Sequence, residues 1–424
     1  MQQINIFVFA ITIFLLVIRK KHWSFLSILI SQVLIPQWDI YIHTYLSLIW
    51  LIIYPLSYKH KKQNNWVVKL YLYYSAIIFL LCIVAEIPVS KSLINAIYML
   101  IGLFGLSVVG LLSIDSREDL IEVLWFLVCL IGGTSLYGIY TIISFSNPYT
   151  DFLSNWFTGI SDYVESFSGD IRSITMRVTG IFVHPLVLSE FSLLSLCILM
   201  IIVRILKYRV IIWILIIMQF ILLLTSGSRS CIFSAIIFVV IFTINNVTNV
   251  NFWIKICVFA IPLGVWGYSK IDNDTKNLIN ASLFIYDVNK SSDIGGSSIE
   301  LRQQQFQRTF NMDVKSVVVG KGPGYIAYAT EKNKRDSGMM GYESIIFSKV
   351  AEEGIVGLIA FISIILKFYF NTCSGLNGVV KLQIFAFYFA YLVCIVMTNI
   401  QGTGHIFFLF CLILYLCKRY NLIN

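Results

Sequence analysis

The sequence predicts an all-α fold, a polytopic membrane helix bundle of about 12–14 transmembrane helices with one large outer loop. Hydrophobic residues make up 58% of the 424 residues, charged residues make up only 12%, and the mean hydropathy is +0.82. A soluble domain carries roughly 25% charged residues. The apolar residues also recur in runs close to the roughly 20 residues that cross a bilayer. These observations exclude a soluble fold and make the lipid bilayer a partner.

The apolar runs give the candidate spans in chain order. They are approximately residues 3–18, 24–36, 40–57, 67–84, 91–113, 119–145, 178–204, 210–226, 230–245, 251–268, 345–370, 382–398 and 403–417. We interpret the first run as a span and not as a cleaved signal peptide, because it lacks a basic start and a small-residue cleavage site.

Basic residues indicate which way the spans face. The net charge is +9, and much of the positive charge lies in short patches beside apolar runs. These patches are residues 19–21, 59–62, Arg117, 207–209 and 418–419. The spans place all of them on one side, which the positive-inside rule assigns to the cytoplasm. Because the positive-inside rule accounts for the net positive charge, this charge gives no reason to expect nucleic acid as a partner.

Two long polar segments then lie on the outer side and divide the chain. The division gives N-terminal spans at 1–145, an outer loop at 146–177, central spans at 178–268, a large outer loop at 269–343 and C-terminal spans at 344–424. The pattern of the first loop favours an amphipathic helix in the membrane interface over a lid. In the second loop, Ser297 and Glu300 form a capping box that predicts a helix ending at about Phe310.

Three arginines on the outer side need an explanation, because positive charge is expected on the other side. Arg177, Arg229 and Arg302 are separated from one another by two spans each, so they face the same compartment. Each one alone is typical of an interfacial arginine that extends its side chain to water. Three together favour a shared diphosphate ligand, because guanidinium groups bind phosphate oxygens through two bonds. Arg308 and Lys321 are secondary candidates for the same ligand.

Polar residues within apolar runs are a further group of candidates. Glu190 lies two turns into an apolar helix, and a buried carboxylate needs a partner. We favour a structural ion pair with Arg229 or Arg177. His184 is better interpreted as a hydrogen-bonded residue at a helix start than as a base. The nine cysteines lie mostly in apolar runs, and none is spaced as C-x-x-C, so we expect neither a zinc site nor a disulfide framework.

Four short motifs follow one another along the chain. Residues 177–185 read R-x-x-G-x-F-x-H-P, residues 224–230 read L-T-S-G-S-R-S, residues 320–324 read G-x-G-P-G, and residues 353–357 read E-G-I-V-G. In order, spacing and topology they resemble the motifs of the O-antigen ligase and polymerase superfamily of bacterial membrane proteins. Arg302 resembles that family's arginine in the helix of the large loop.

The resemblance implies a glycosyltransferase at the periplasmic face of the bacterial inner membrane. Its substrates would be oligosaccharide repeat units on undecaprenyl diphosphate, and its product a surface polysaccharide such as O-antigen. Arg177, Arg229 and Arg302 would hold the diphosphate, and we expect no metal or cofactor because guanidinium groups neutralise its charge. The resemblance leaves open whether a chain-length regulator protein is a partner.

Glu343 separates the alternatives within this family. Ligases of the family place His-Asn eleven residues before the glycine of the last motif, where this chain has Glu343 and Ser344. This departure favours a polymerase of the Wzy type, with Glu343 as the candidate base. A carboxylate that simply stabilises a helix amino terminus is the structural alternative. A ligase, or a flippase of lipid-linked oligosaccharide, remains the alternative function, although no internal repeat typical of transporters is visible.

Overall fold

The computed structural model is helical, with no strand among the residues it describes. These residues are 11–16, 20–34, 42–57, 66–154, 178–182, 184–243, 299–332, 342–400 and 402–423. The helices are α1 (Lys21–Leu34), α2 (Ile42–Ser57), α3 (Trp66–Ile83), α4 (Val89–Ser113), α5 (Arg117–Ser144), α6 (Pro148–Ser154), α7 (Pro185–Ile202), α8 (Arg209–Thr225), α9 (Arg229–Thr243), α10 (Ile299–Phe310), α11 (Val314–Val319), α12 (Tyr325–Lys332), α13 (Ile345–Cys373), α14 (Gly378–Thr398) and α15 (Gly404–Arg419).

Within this described part, six helices are long and apolar enough to cross a membrane. They are α3, α4, α5, α7, α13 and α14, and α2, α8 and α9 contain shorter apolar stretches. Helix α8 shows why water cannot be the solvent around these helices. Its residues Val210, Ile214 and Ile217 are 73%, 52% and 60% exposed. Apolar surface of this kind is stable against lipid, so the prediction of an all-α polytopic membrane bundle is confirmed.

The chain forms two compact units, which draw on separate stretches of sequence. The first comprises residues 1–130, 297–374 and 395–424, and the second comprises residues 131–296 and 375–394. In the first unit, α4 packs against α1, α2, α3 and α15. Its centre is aromatic, with the Phe104 ring 4.2 Å from the Tyr71 ring and 4.9 Å from the Phe408 ring between centroids.

The two ends of the first unit are identified by their contacts. At one end Lys21 pairs with Asp115, and the Lys418 ammonium donates to the Asn371 carbonyl at 2.6 Å. At the other end the Glu86 amide donates to the Lys321 carbonyl at 2.9 Å. Segments that the sequence places on the cytoplasmic and outer sides therefore lie at opposite ends of this unit.

The second unit is built around α7, which packs against α8 and α9. The predicted span at 178–204 begins too early, because the helix starts only at Pro185. A proline fits the first helical turn, where its missing amide proton has no acceptor, and Gly180 before it has φ of 56°. Apolar composition continues across this turn, so hydropathy alone could not detect it.

Several predictions concern residues that the structure does not describe. They include the candidate span at 251–268, most of the amphipathic segment at 146–177 and the serines of the capping box. Of the amphipathic segment, α6 is described. The helix that the capping box predicts is present as α10 and ends at Phe310, as expected.

Candidate functional site

The glycine-rich turn at 320–324 docks onto a kink in the membrane helix α13. The kink lies at Gly354, whose φ of 69° and ψ of −176° interrupt the helix. The break removes the intrahelical partners of nearby carbonyl groups. The amides of Lys321 and Gly322 replace those partners, donating to the carbonyls of Ala351 and Glu352 at 3.0 and 2.9 Å. Backbone that would otherwise be unsatisfied at a membrane helix is thus paired.

Only glycine fits at the two points where these backbones meet. A Cβ atom on Gly320, where φ is 75°, would lie 2.3 Å from the Glu352 carbonyl oxygen. A Cβ atom on Gly354 would lie 2.2 Å from the Val318 carbonyl oxygen. The third and fourth motifs of the sequence therefore form one joint, which we call the turn–kink joint (residues 320–324 with 351–354). Gly354 is thus a site of close packing, and the kink at this residue is the physical cause.

Glu352 connects helix α12 to this joint. Its carboxylate accepts a hydrogen bond from the amide of Ile326, in the first turn of α12, at 3.2 Å. The first amides of a helix have no intrahelical acceptor, and a carboxylate there also interacts favourably with the helix dipole. The sequence analysis did not select Glu352, because an acidic residue beside a motif carries no signal of its own.

An ion pair holds the joint to the segment that precedes α4. The Lys321 ammonium lies 3.4 Å from the Glu86 carboxylate and 5.0 Å from the centre of the Tyr325 ring. The Ser316 hydroxyl donates to the same carboxylate at 2.7 Å. Burial acts to lower the pKa of Lys321, but Tyr325 and Glu86 outweigh it, so the pKa is raised. This candidate diphosphate-binding residue is therefore a cation that Glu86 partly neutralises.

A buried pair of charges lies directly before the kink, inside the first unit. Lys349 and Glu353 form an ion pair four residues apart on α13, and the Glu353 side chain is fully buried. The Tyr74 hydroxyl donates to Glu353 at 2.9 Å, and the Lys349 ammonium lies 5.4 Å from the centre of the Phe361 ring. Sequence analysis used Glu353 only as part of a motif and missed Lys349, although a lysine–glutamate pair at this spacing in an apolar helix is a usable signal.

The predicted base, Glu343, lies just before α13 in the same unit. Its side chain is half-buried, and its amide donates to the Gln305 side chain of α10 at 3.1 Å. Ser344 caps the helix by accepting from the Ile346 amide, so the prediction that these two residues open the helix is confirmed. The Asn399 side chain donates to the carbonyl of Tyr342 at 2.9 Å and thereby holds the segment that carries Glu343.

Tyr342 shows that basic residues of the large loop lie near Glu343. The pKa of Tyr342 is raised, chiefly by burial and further by the neighbouring Tyr325. A hydrogen bond with Thr309 and the positive charges of Arg308 and Lys321 act in the opposite direction. Both cations are therefore within electrostatic reach of the residue next to Glu343. Three of the predicted site residues, Glu343, Arg308 and Lys321, thus lie in segments of the first unit that surround Tyr342.

The remaining predicted arginines are placed less fully. Arg302 lies on α10, one helical turn before Gln305, and its side chain is outside the described part. Arg229 is half-buried at the first position of α9 in the second unit, two residues after Gly227, whose φ is 70°. Arg177 lies outside the described residues. Convergence of the three arginines on one ligand stays a prediction.

Glu190 belongs to α7, and His184 directly precedes this helix. The His184 side chain caps the helix, because its Nδ1 atom accepts from the Leu186 amide at 3.0 Å. That contact agrees with the interpretation of His184 as a hydrogen-bonded residue at a helix start. Glu190 is fully buried, as its position in an apolar helix predicts. In the described part of the chain, no group of three or more His, Cys, Asp or Glu side chains could hold a metal ion.

Comparisons with known proteins add nothing to these placements. No protein-family model matches the chain, and no curated protein matches it. What sequence and structure together establish is an all-helical, multi-pass membrane protein with a polar cluster at one end of its first unit.

Proposed function

We propose that this protein is a membrane glycosyltransferase that polymerises oligosaccharide repeat units carried on undecaprenyl diphosphate. One observation carries the proposal: the Glu343 amide donates to Gln305 of α10, the helix that also carries Arg302 and Arg308, and the turn that carries Lys321 is hydrogen-bonded to the helix that follows Glu343. A carboxylate and cations at the rim of a bilayer are the groups needed to remove a proton and to stabilise a leaving diphosphate. The resemblance of the motifs to O-antigen polymerases supplies the substrate class.

The reaction requires one proton transfer and one substitution. A hydroxyl oxygen of the acceptor sugar attacks the anomeric carbon of the donor glycan, and the Glu343 carboxylate takes the hydroxyl proton. The bond between the anomeric carbon and the diphosphate oxygen breaks, and undecaprenyl diphosphate leaves with the electron pair. The glycan has then gained one repeat unit. A positioned general base contributes about 10²- to 10⁴-fold in rate.

The basic residues act on the leaving group. Arg302 and Arg308 lie on α10, and Lys321 lies in the turn–kink joint of the same unit. Each charge-assisted hydrogen bond to a diphosphate oxygen stabilises the departing charge by about 1.5–3 kcal/mol. Arg177 and Arg229 stay candidates for the same ligand on the resemblance of the motifs alone. The proposed location is the bacterial inner membrane, with the reacting groups on the periplasmic side.

The test replaces the base by its amide. Glu343→Gln keeps the size of the side chain but cannot accept the proton, so we expect chain growth to fall by about 10²-fold or more. Gel electrophoresis of surface polysaccharide from a knockout strain that carries the variant should show single-repeat bands, and lipid-linked repeat units should accumulate. Glu118→Gln is the matched control, because this exposed carboxylate lies in the first turn of α5, at the other end of the unit.

Two outcomes contradict the proposal. A full ladder in the Glu343→Gln strain at normal protein level removes Glu343 as the base. If the knockout strain itself leaves finished polymer unattached and its lipid acceptor bare, the protein is a ligase and not a polymerase. Arg302→Ala and Arg308→Ala then test the diphosphate contacts, with exposed Lys315→Ala as the control for loss of a positive charge in the same loop.

A further inference from the structure

A cavity opens beside the turn–kink joint, between the start of α4 and helix α12. It has a volume of about 230 Å³ and is lined by Lys91, Ile94, Asn95, Ala327 and Tyr328. All five residues belong to the first unit. Pockets for drug-sized ligands measure roughly 300–1,000 Å³, so this cavity fits one smaller ring-sized group.

The lining is polar on one edge and apolar on the other. The Lys91 ammonium is held 5.0 Å from the centre of the Tyr328 ring, a cation–π distance that fixes the end of a long side chain. The Asn95 amide offers both a donor and an acceptor, and none of the described residues is its hydrogen-bond partner. Ile94 and Ala327 supply the apolar edge. A sugar ring matches this arrangement, because it has a C–H face and a rim of hydroxyl groups.

Helix α12 places the cavity next to the proposed diphosphate-binding residues. Tyr325 and Tyr328 are three residues apart, so their side chains are neighbours on one face at roughly 5–6 Å between Cβ atoms. The centre of each tyrosine ring lies 5.0 Å from a lysine ammonium, which is that of Lys321 for Tyr325 and that of Lys91 for Tyr328. The cavity and Lys321 therefore both lie against α12, beside tyrosines that are three residues apart.

We infer that this cavity is a binding subsite for one sugar residue of the lipid-linked oligosaccharide. The inference rests on the proposed function and assigns the sugar a place of its own. A phospholipid headgroup is the competing occupant, but it would need only the cation. The Asn95 amide, which also packs against Gly324 of the joint, has the mixed donor and acceptor character that hydroxyl groups require.

The experiment measures sugar binding without catalysis. The full-length protein is placed in phosphatidylcholine nanodiscs, and saturation-transfer NMR is recorded with the methyl glycosides of glucose, galactose, N-acetylglucosamine and glucuronic acid. We expect at least one glycoside to bind. Lys91→Ala, Asn95→Ala and Tyr328→Ala should each weaken that binding about tenfold, the scale of one lost contact to a charged or polar group. Lys91→Arg and Tyr328→Phe should retain most of it.

Control variants keep the test independent of folding and of the proposed reaction. Tyr73→Ala removes an exposed tyrosine of α3, and Lys315→Ala removes an exposed lysine of the loop, so both should bind as the wild type does. Glu343→Gln should also bind sugar normally, which separates a failed subsite from a failed polymerase.

Three results would overturn the subsite. The first is that none of the four glycosides binds to the wild-type protein. The second is binding that survives all three alanine variants with unchanged strength. The third is loss of the glycoside signal when phosphatidylglycerol is added to the nanodiscs, because competition by an anionic lipid identifies a headgroup site.

Discussion

At the scale of single residues, Lys349 and Glu353 raise the question of how two buried charges are stabilised. The Glu353 side chain is fully buried, and it is stable there because Lys349 and the Tyr74 hydroxyl both contact it. Removing one member of a buried ion pair leaves an uncompensated charge, which costs about 3–5 kcal/mol, whereas removing both is often close to neutral. The pair therefore fixes the geometry of α13 near its kink more than it adds net stability.

This reasoning gives a prediction for the two charges. Lys349→Met should lower the free energy of unfolding by about 3–5 kcal/mol. The double variant Lys349→Met with Glu353→Gln should recover most of that loss, because no ion then remains buried. Thermal unfolding of the purified protein in detergent measures both. A single variant as stable as the wild type, or a double variant no better than the single one, would contradict the ion pair.

Glu343, at the same scale, shows the limit of reasoning from sequence. Its position before a membrane helix could be predicted from the chain, and the structure confirms it. Its neighbours could not, because Gln305 of α10 is 38 residues away along the chain. Only the folded loop reveals that the candidate base lies next to the helix that carries Arg302 and Arg308.

At the scale of elements, the turn–kink joint explains why glycines occur in two separate motifs. The broken helix at Gly354 frees carbonyl groups, and the turn at 320–324 supplies the amides that satisfy them. Each partner requires close backbone approach at a glycine with positive φ. The motifs therefore build the support of the site, while charged residues beside them are the candidates for chemistry.

The joint predicts a graded response to alanine. Gly354→Ala and Gly320→Ala combine an unfavourable φ with a Cβ atom 2.2–2.3 Å from a carbonyl oxygen, so each should destabilise the protein by more than the roughly 1–2 kcal/mol of the left-handed conformation alone. Gly375→Ala isolates the conformational part, since φ is 80° there and no atom lies within 4 Å of the added Cβ atom. Thermal unfolding midpoints should fall least for Gly375→Ala. Equal effects at all three positions would argue against a tight joint.

At the scale of the whole molecule, the first unit has two chemically distinct ends. The outer loop helices and the loop before α4 meet at one end, through Lys321 and Glu86. Lys21, Asp115 and Lys418 lie at the other. Segments that the sequence predicts on opposite sides of the membrane therefore lie at opposite ends of this unit.

Cysteine labelling of whole cells tests this orientation. Lys315→Cys places a thiol at an exposed loop position, and Glu118→Cys places one at the opposite end. A membrane-impermeant maleimide should label the first variant once the periplasm is accessible, and the second only after the inner membrane is permeabilised. The wild type gives the baseline, because most of its described cysteines are buried. The reverse pattern would invert the topology and move the proposed site to the cytosol.

The sequence by itself determined the membrane class and most helix boundaries. These properties depend on composition within windows of about 20 residues, because the bilayer acts on each span locally. The sequence did not predict where α7 begins, because apolar residues continue through the non-helical turn before it.

Only the tertiary structure decided which residues meet. The hydrogen bond from Ser316 to Glu86 joins residues 230 positions apart, and the one from Tyr74 to Glu353 joins residues 279 apart. No local pattern encodes such pairs, because they depend on how whole helices pack and on where one helix bends. The membrane bundle thus follows from local hydrophobicity, and the polar cluster at its end follows from long-range packing.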